Sequence, residues 1–431
     1  MEEILSQAKK VAEDAEVFMV SSESTPVQFE ANRLKHIQSK QSTSVALRII
    51  KNGKTGYATS TRLNSEDLVN DAMATAEFGT EAKFEFPSLT TYPEIEVFDP
   101  DVEKISLEKM AELGEELISA VTNHTAGILC DGSISRTVSN IRIINSRGGQ
   151  ASYQRSVFNI GIEGQLIQDT DMLFVFEGQS SCHPLLETKS ITSIVLEQLD
   201  RAKTNAKIST GSLPVIFSPN GLASTLAMPV ITAFNGKSVL EGASPISGKL
   251  GQKVYDRKLS LYDDPTTAYR PDSAPCDDEG IPSQRTPLIT EGIVSNFLYD
   301  LQTAAMAGTT STGNGQRGGG LPSPSSTTVI LSPGSATFDE MVRDIKEGLV
   351  VEMVMGATQG NVLGGDFSGN VLLGFKIENG EIAGRVKNTM ISGNIYQLFK
   401  EITAIGSDTR WVGGSLSTPS IYCPAVSVAS K

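Results

Sequence analysis

Apolar and polar positions change period several times along this chain, and each change marks an element. Ile4, Ala8, Val11, Ala12 and Ala15 recur at helical spacing, which predicts an amphipathic helix over residues 2–15. Residues 16–21, 27–30, 34–39, 44–50 and 54–59 then alternate as strands, with Asn52-Gly53 as a turn between the last two. Ser65, followed by Glu66 and Asp67, is the expected N-cap of a helix running to about residue 76. Residues 84–100 are punctuated by proline and read as a connection. Ser106 caps the next helix, whose apolar stripe is Leu107, Met110, Leu113, Leu117, Ile118 and Val121; Lys109 at its third position excludes a capping box. Strand periodicity returns over 127–178, with a turn at Asn145–Gly149, and a helix is predicted over 184–206.

Beyond Gly211-Ser212-Leu213-Pro214 the segments become shorter and richer in glycine. A strand over 214–218 leads into a helix that starts at Pro219, runs to about Phe234 and is interrupted at Pro229. Residues 268–284 read as a surface loop, and Glu291-Gly292 as a hairpin corner. The most biased segment, 309–326, is either mobile or an ordered loop over a site. A helix over 338–346 precedes the stretch 356–396. There, apolar runs alternate with glycine corners, and Asn379-Gly380 supplies the φ > 0 positions of a tight hairpin. The glycines at 364, 365, 369 and 374 point to bulges or close backbone approach. The expected class is α+β. An N-terminal α+β domain over 1–206, divisible at 90/91, has antiparallel sheets and packed helices; a C-terminal domain over 207–431 is a curved, barrel-like antiparallel β structure with a few helices.

Composition narrows the function classes. At 431 residues the chain exceeds a single typical core. A net charge of −14 gives an acidic, solvated surface and argues against nucleic acid, which demands clustered Lys and Arg. Four scattered cysteines without CxxC fit a reducing compartment. No apolar run reaches the roughly 18 residues of a membrane span, and the acidic start MEEILSQAKK is unlike a signal peptide, so a cytoplasmic location is expected.

His36, His124 and His183 form no i, i+3 or i+4 pair, so there is no helical zinc motif. Cys182-His183 lacks further spacing partners, and no GxSxG elbow supports a serine triad. The carboxylates Asp263-Asp264 and Asp277-Asp278-Glu279 can be read as turn caps or as ligands of a divalent ion. Gly313-Asn314-Gly315 with Arg317 and Gly318–Gly320 is a poor phosphate cradle, lacking the GKS or GKT ending; a glycine-rich lid against a peptide backbone fits better.

Seven blocks in order resemble the TldD/PmbA family, and specifically its PmbA (TldE) branch, the family known as putative modulators of DNA gyrase. They are Asn145-Ser146-Arg147-Gly148, Gly248-Lys249-Leu250-Gly251, Tyr262-Asp263-Asp264-Pro265, Asp278-Glu279-Gly280, Ser311-Thr312-Gly313-Asn314-Gly315, Gly365-Asp366-Phe367-Ser368 and Ile391-Ser392-Gly393-Asn394. The resemblance implies a cytoplasmic peptidase system acting on unfolded or modified peptides. In it, TldD subunits carry zinc on an HExxxH helix and PmbA subunits lack that motif. Here the corresponding helix falls near residues 226–234, LAMPVITAF, without a ligand-type side chain. The resemblance therefore implies no catalytic residue, no metal and no cofactor in this chain, with zinc in a TldD-like HExxxH partner. Asn314, Arg317, Asp366 and Asn394 are the peptide-binding or loop candidates. Two alternatives stand beside this reading: a homodimeric, non-catalytic peptide-binding or structural protein, and an autonomous hydrolase with a metal at Asp263, Asp264, Asp277 or Asp278.

Overall fold

The computed structural model describes residues 1–62, 64–169 and 171–431. Long, strictly alternating segments build its first sheet. The strands are β1 (Asp14–Glu30), β2 (Arg33–Ile37), β3 (Lys40–Lys51), β4 (Lys54–Ser60), β5 (Leu129–Asn145), β6 (Gln150–Gln168) and β7 (Asp171–Ser181), in the order β4-β3-β1-β5-β6-β7 with β2 added to β1. β1 runs unbroken through Pro26: β5 pairs along one edge from Glu16 to Phe29, while on the other edge β3 ends at Ser24 and β2 begins at Val27, leaving Pro26 between two ladders there.

The helices are α1 (Glu2–Ala8), α2 (Ser65–Ala76), α3 (Pro100–Lys104), α4 (Leu107–His124) and α5 (Lys189–Arg201). α1 is shorter than its periodicity predicts, since Ala15 pairs with Ile49 as part of β1 and buries its methyl group in the sheet. The cap of α2 is Asn64, not Ser65: Asn64 Oδ1 accepts from Glu66 N at 3.1 Å. α5 is likewise trimmed relative to 184–206, beginning after Pro184 and ending before Lys203.

The C-terminal half closes on itself. Strands Gly211–Phe217, Ile421–Ser430, Thr389–Asn394, Asp366–Glu378 and Glu347–Met355 pair in that order, and the last pairs back to the first, giving a five-strand barrel. The barrel is mixed rather than purely antiparallel. Leu349–Val351 run parallel to Val215–Phe217, which the long connection through 218–346 allows. Close approach is visible at Gly374, where a Cβ would lie 2.8 Å from the Val350 carbonyl oxygen. The Asn379-Gly380 corner takes φ of 52° and 83°, as its sequence predicts. A smaller sheet of short strands covers one side, including Leu261–Asp263, Thr286–Thr290 and Val329–Leu331.

α4 and α5 join the two halves. One apolar core contains Met110, Leu117 and Val195 of these helices, Phe29 and Phe158 of the long sheet, and Ile216, Val350 and Phe375 of the barrel. Because both halves contribute buried side chains to it, they are held in a fixed relation, and polar groups at their seam are shut away from water.

Candidate functional site

The acidic segment over 268–284 is not a surface loop. Ser273, Cys276, Asp277 and Glu279 are all buried, because the segment is packed between the long sheet and the smaller one. Its Glu279 meets a charge of opposite sign on β3, Arg48, which also holds Glu16 of β1. Glu16 and Arg48 are direct cross-strand partners, so their side chains share one face. Arg48 Nη2 lies 3.1 Å from Glu16 Oε1, and Arg48 Nη1 lies 2.5 Å from Glu279 Oε1. Arg317, from the glycine-rich segment, makes a second ion pair to Glu16 and lies over the Phe18 ring. Phe84 and Phe86 face the Arg48 guanidinium at 4.8 and 4.9 Å from their centroids. Burial pulls the Arg48 pKa down, but Glu16 and Glu279 outweigh it and the group is held above its ordinary value.

The remaining carboxylates tie loops. Asp277 accepts from Glu279 N and Ile281 N with one oxygen and from Gly315 N with the other. Gly315 must be glycine here: a Cβ would lie 2.4 Å from Glu279 Oε2. Asp278 accepts from Arg317 N at 2.8 Å. Burial, with Glu279 next, pushes the Asp277 carboxyl well up. Asp264 accepts from Thr266 N and Oγ1 and so closes its own turn. Asp263 accepts from Asn314 Nδ2 at 2.6 Å and from Thr327 N at 2.6 Å. The four carboxylates weighed as metal ligands thus stand as loop fasteners, and among the described residues no group of three or more His, Cys, Asp or Glu side chains could hold a metal ion.

Asp263 gives a testable pH signature. Burial pushes its carboxyl up to about 6, against the hydrogen bonds from Thr327 and Asn314. A raised carboxyl pKa means that the folded state binds the proton more tightly. Its contribution is therefore full below the unfolded value near 4 and is lost as pH rises towards 6. In Asp263→Asn this component is absent. The stability gap between wild type and variant is expected to narrow by about 2–3 kcal/mol between pH 4 and pH 7, read from urea melts.

Of the predicted site residues, Asn314 and Arg317 belong to this seam. Asn314 is 1% exposed and, besides Asp263, donates to Ser325 O. It fastens an ordered ribbon, Gly315–Gln316 paired with Ser323–Pro324, so the biased segment is an ordered loop. Asp366 and Asn394 lie elsewhere, bonded to each other at 2.8 Å on adjacent barrel strands. The ribbon borders a cavity of about 640 Å³ formed by residues 80–84, 237–241, 300–306 and 321–324, with Arg48 at its back. Leu240, Met306 and Leu321 leave 37, 57 and 42% of their surfaces exposed, and all three line it. Pattern reading missed Glu16 and Arg48, although each is a lone charge inside an apolar strand run, AEVFMV and ALRII.

The family model of the PmbA/TldA metallopeptidase C-terminal domain matches residues 210–430, and that of domain 1 matches residues 15–76. The chain belongs to the PmbA/TldD metallopeptidase family. An uncharacterized protein of Methanocaldococcus jannaschii is 28% identical, with 98% of each chain covered. A metalloprotease of Methanothermobacter thermautotrophicus is 24% identical over 94% of this chain and 91% of its own. The crystal structure of TldE from Thermococcus kodakarensis shares the fold, with a TM-score of 0.89, 22% identity and all of both chains covered.

A metallopeptidase family raises the question of whether these residues fit a metal. The chain is helical without a break from Pro219 to Ala233. Pro229 does not interrupt it, because a π turn over Ala223–Ala227 absorbs the lost N–H and the ring's demand for space. Leu226, Pro229, Val230 and Ala233 face the core, and no side chain over 226–234 is a ligand type. Cys423 is buried in the barrel wall, and burial pushes its thiol up to about 12, away from the thiolate that binds zinc. His183 and His124 are each engaged by a carboxylate, Asp99 at 2.5 Å and Asp200 at 3.1 Å. This donor set does not fit zinc.

Proposed function

We propose that this chain is the non-catalytic, peptide-handling subunit of a cytoplasmic metallopeptidase pair, working beside a zinc-bearing HExxxH paralogue on unfolded or modified peptides. One observation carries the reading: the helix over 219–233 offers only apolar, hydroxyl and amide side chains within a chain whose residues 15–76 and 210–430 match the family's domains. A zinc-bound water needs ligands to lower its pKa and a base to take its proton, and neither is offered here. Four buried free cysteines support a reducing compartment. None of the described helices is long and apolar enough to cross a membrane.

The cavity beside Arg48 is the place for the peptide in this reading. Its exposed Leu240, Met306 and Leu321 offer apolar contact at many points, and the ribbon through Ser323–Pro324 offers backbone at its rim. Contacts of that kind tolerate many sequences, as trimming of unfolded chains demands. Asn314 and Arg317 serve by holding the ribbon in place, not by touching peptide. Binding of a fluorescein-labelled unstructured peptide, followed by anisotropy, is expected to weaken at least tenfold in Met306→Asp and in Leu321→Asp. Both positions are exposed, so the melts of the variants should match wild type. Unchanged affinity in both would remove the cavity from the account.

A further inference from the structure

A second cavity, of about 450 Å³, lies where α5 meets the barrel and shares no lining residue with the first. At its inner end is Glu352, a charged residue in the apolar strand run LVVEMVM and 6% exposed. Its Oε2 accepts from Ser218 Oγ at 2.7 Å, while Ser218 Oγ itself accepts from Gly221 N and caps the helix that begins at Pro219. Oε1 accepts no hydrogen bond among the described residues, although Glu352 lines the cavity. This oxygen is open to the cavity rather than sealed in protein, so it is free to accept from a donor that enters there.

The lining cations are already engaged. Arg201 pairs with Glu197 at 2.5 Å, and Arg410 with Glu177 at 3.3 Å. Four carboxylates line the cavity (Glu197, Asp339, Glu352 and Asp408) against the two guanidiniums, Arg201 and Arg410, so the space favours a cation. Burial pushes the Glu352 carboxyl above its ordinary value, ahead of the opposing effects of Ser218, Arg410 and Arg201. A metal ion is disfavoured, because no three ligand-type side chains converge among the described residues. An ammonium group needs only acceptors and a small apolar wall, which Phe338 provides.

We propose that this cavity is a binding site for a primary ammonium group, with Glu352 as its counter-ion, the ammonium coming from a small amine or from the N-terminus of a peptide. The test is calorimetric titration of the full chain with ethylammonium, with tetra-alanine, with N-acetyl tetra-alanine, and with Mg²⁺ and Zn²⁺. Saturable binding of ethylammonium or tetra-alanine is expected, with none for the acetylated peptide, and at least a tenfold loss in Glu352→Gln. Binding by tetra-alanine identifies a peptide N-terminus, and binding by ethylammonium alone identifies a small amine. No amine binding, equal binding by the variant, or binding of a divalent ion only would overturn the proposal. Should Glu352→Gln fail to fold, wild-type crystals soaked in 2-bromoethylammonium decide it. The bromine anomalous signal is expected beside Glu352, and its absence from the cavity would overturn the proposal.

Discussion

Replacing Arg48 by alanine is expected to lower the stability of the chain by about 3–5 kcal/mol, because it strands the buried Glu279 carboxylate and takes from Glu16 one of its two cations. Glu16 and Glu279 are both 0% exposed, and each has its ion pair to Arg48 in the seam between the two halves. Arg317 still reaches Glu16, so the larger part of the loss falls on Glu279, whose other oxygen, among the described residues, accepts only from Leu301 N at 2.7 Å. The rings of Phe84 and Phe86 also lose the cation they face. Glu279→Gln should cost less, since Arg48 keeps Glu16. The double variant Arg48→Ala with Glu279→Gln should be more stable than the sum of the two single losses predicts, by about 1–3 kcal/mol. High salt should change these differences little, since the groups are shut away from solvent. Urea melts of the four proteins measure all of this. Additive losses, or an Arg48→Ala variant as stable as wild type, would show that the pairs do not hold the seam.

The same residues show why part of this molecule was legible in its sequence and part was not. Local chemistry read well. Asn379-Gly380 makes its hairpin because its conformational demand is met by the two residues themselves, and Ser106 caps α4 for the same reason. The barrel was foreseen as a curved sheet, but its parallel pair was not, because pairing across 218–346 leaves no local trace. Pro229 read as a break in its helix, and the π turn that tolerates it leaves no local trace in the sequence.

Burial was the hardest quantity to read. The segment Cys276-Asp277-Asp278-Glu279 has the composition of a solvated loop, and partners elsewhere in the chain offset its burial: Arg48 for Glu279, and the backbone N–H groups of Gly315 and Arg317 for Asp277 and Asp278. A usable signal was present: Glu16, Arg48 and Glu352 each interrupt an otherwise apolar strand, and all three are buried and bonded. The candidate residues Asp366 and Asn394 came from motif blocks, and such blocks carry no information about which residues share a surface.

The central claim is that this family member handles peptide without cutting it, and hydrolysis assays test it most directly. A quenched fluorescent peptide with no fixed structure would be incubated with zinc and this chain alone, with an HExxxH paralogue alone, and with the two mixed. With only Leu226–Phe234 side chains at the helix where ligands are required, this chain alone should give the buffer rate. The mixture should exceed the paralogue alone by tenfold or more, and that gain should fall in Leu321→Asp. Hydrolysis by this chain alone, abolished by a chelator and restored by zinc, would contradict the account.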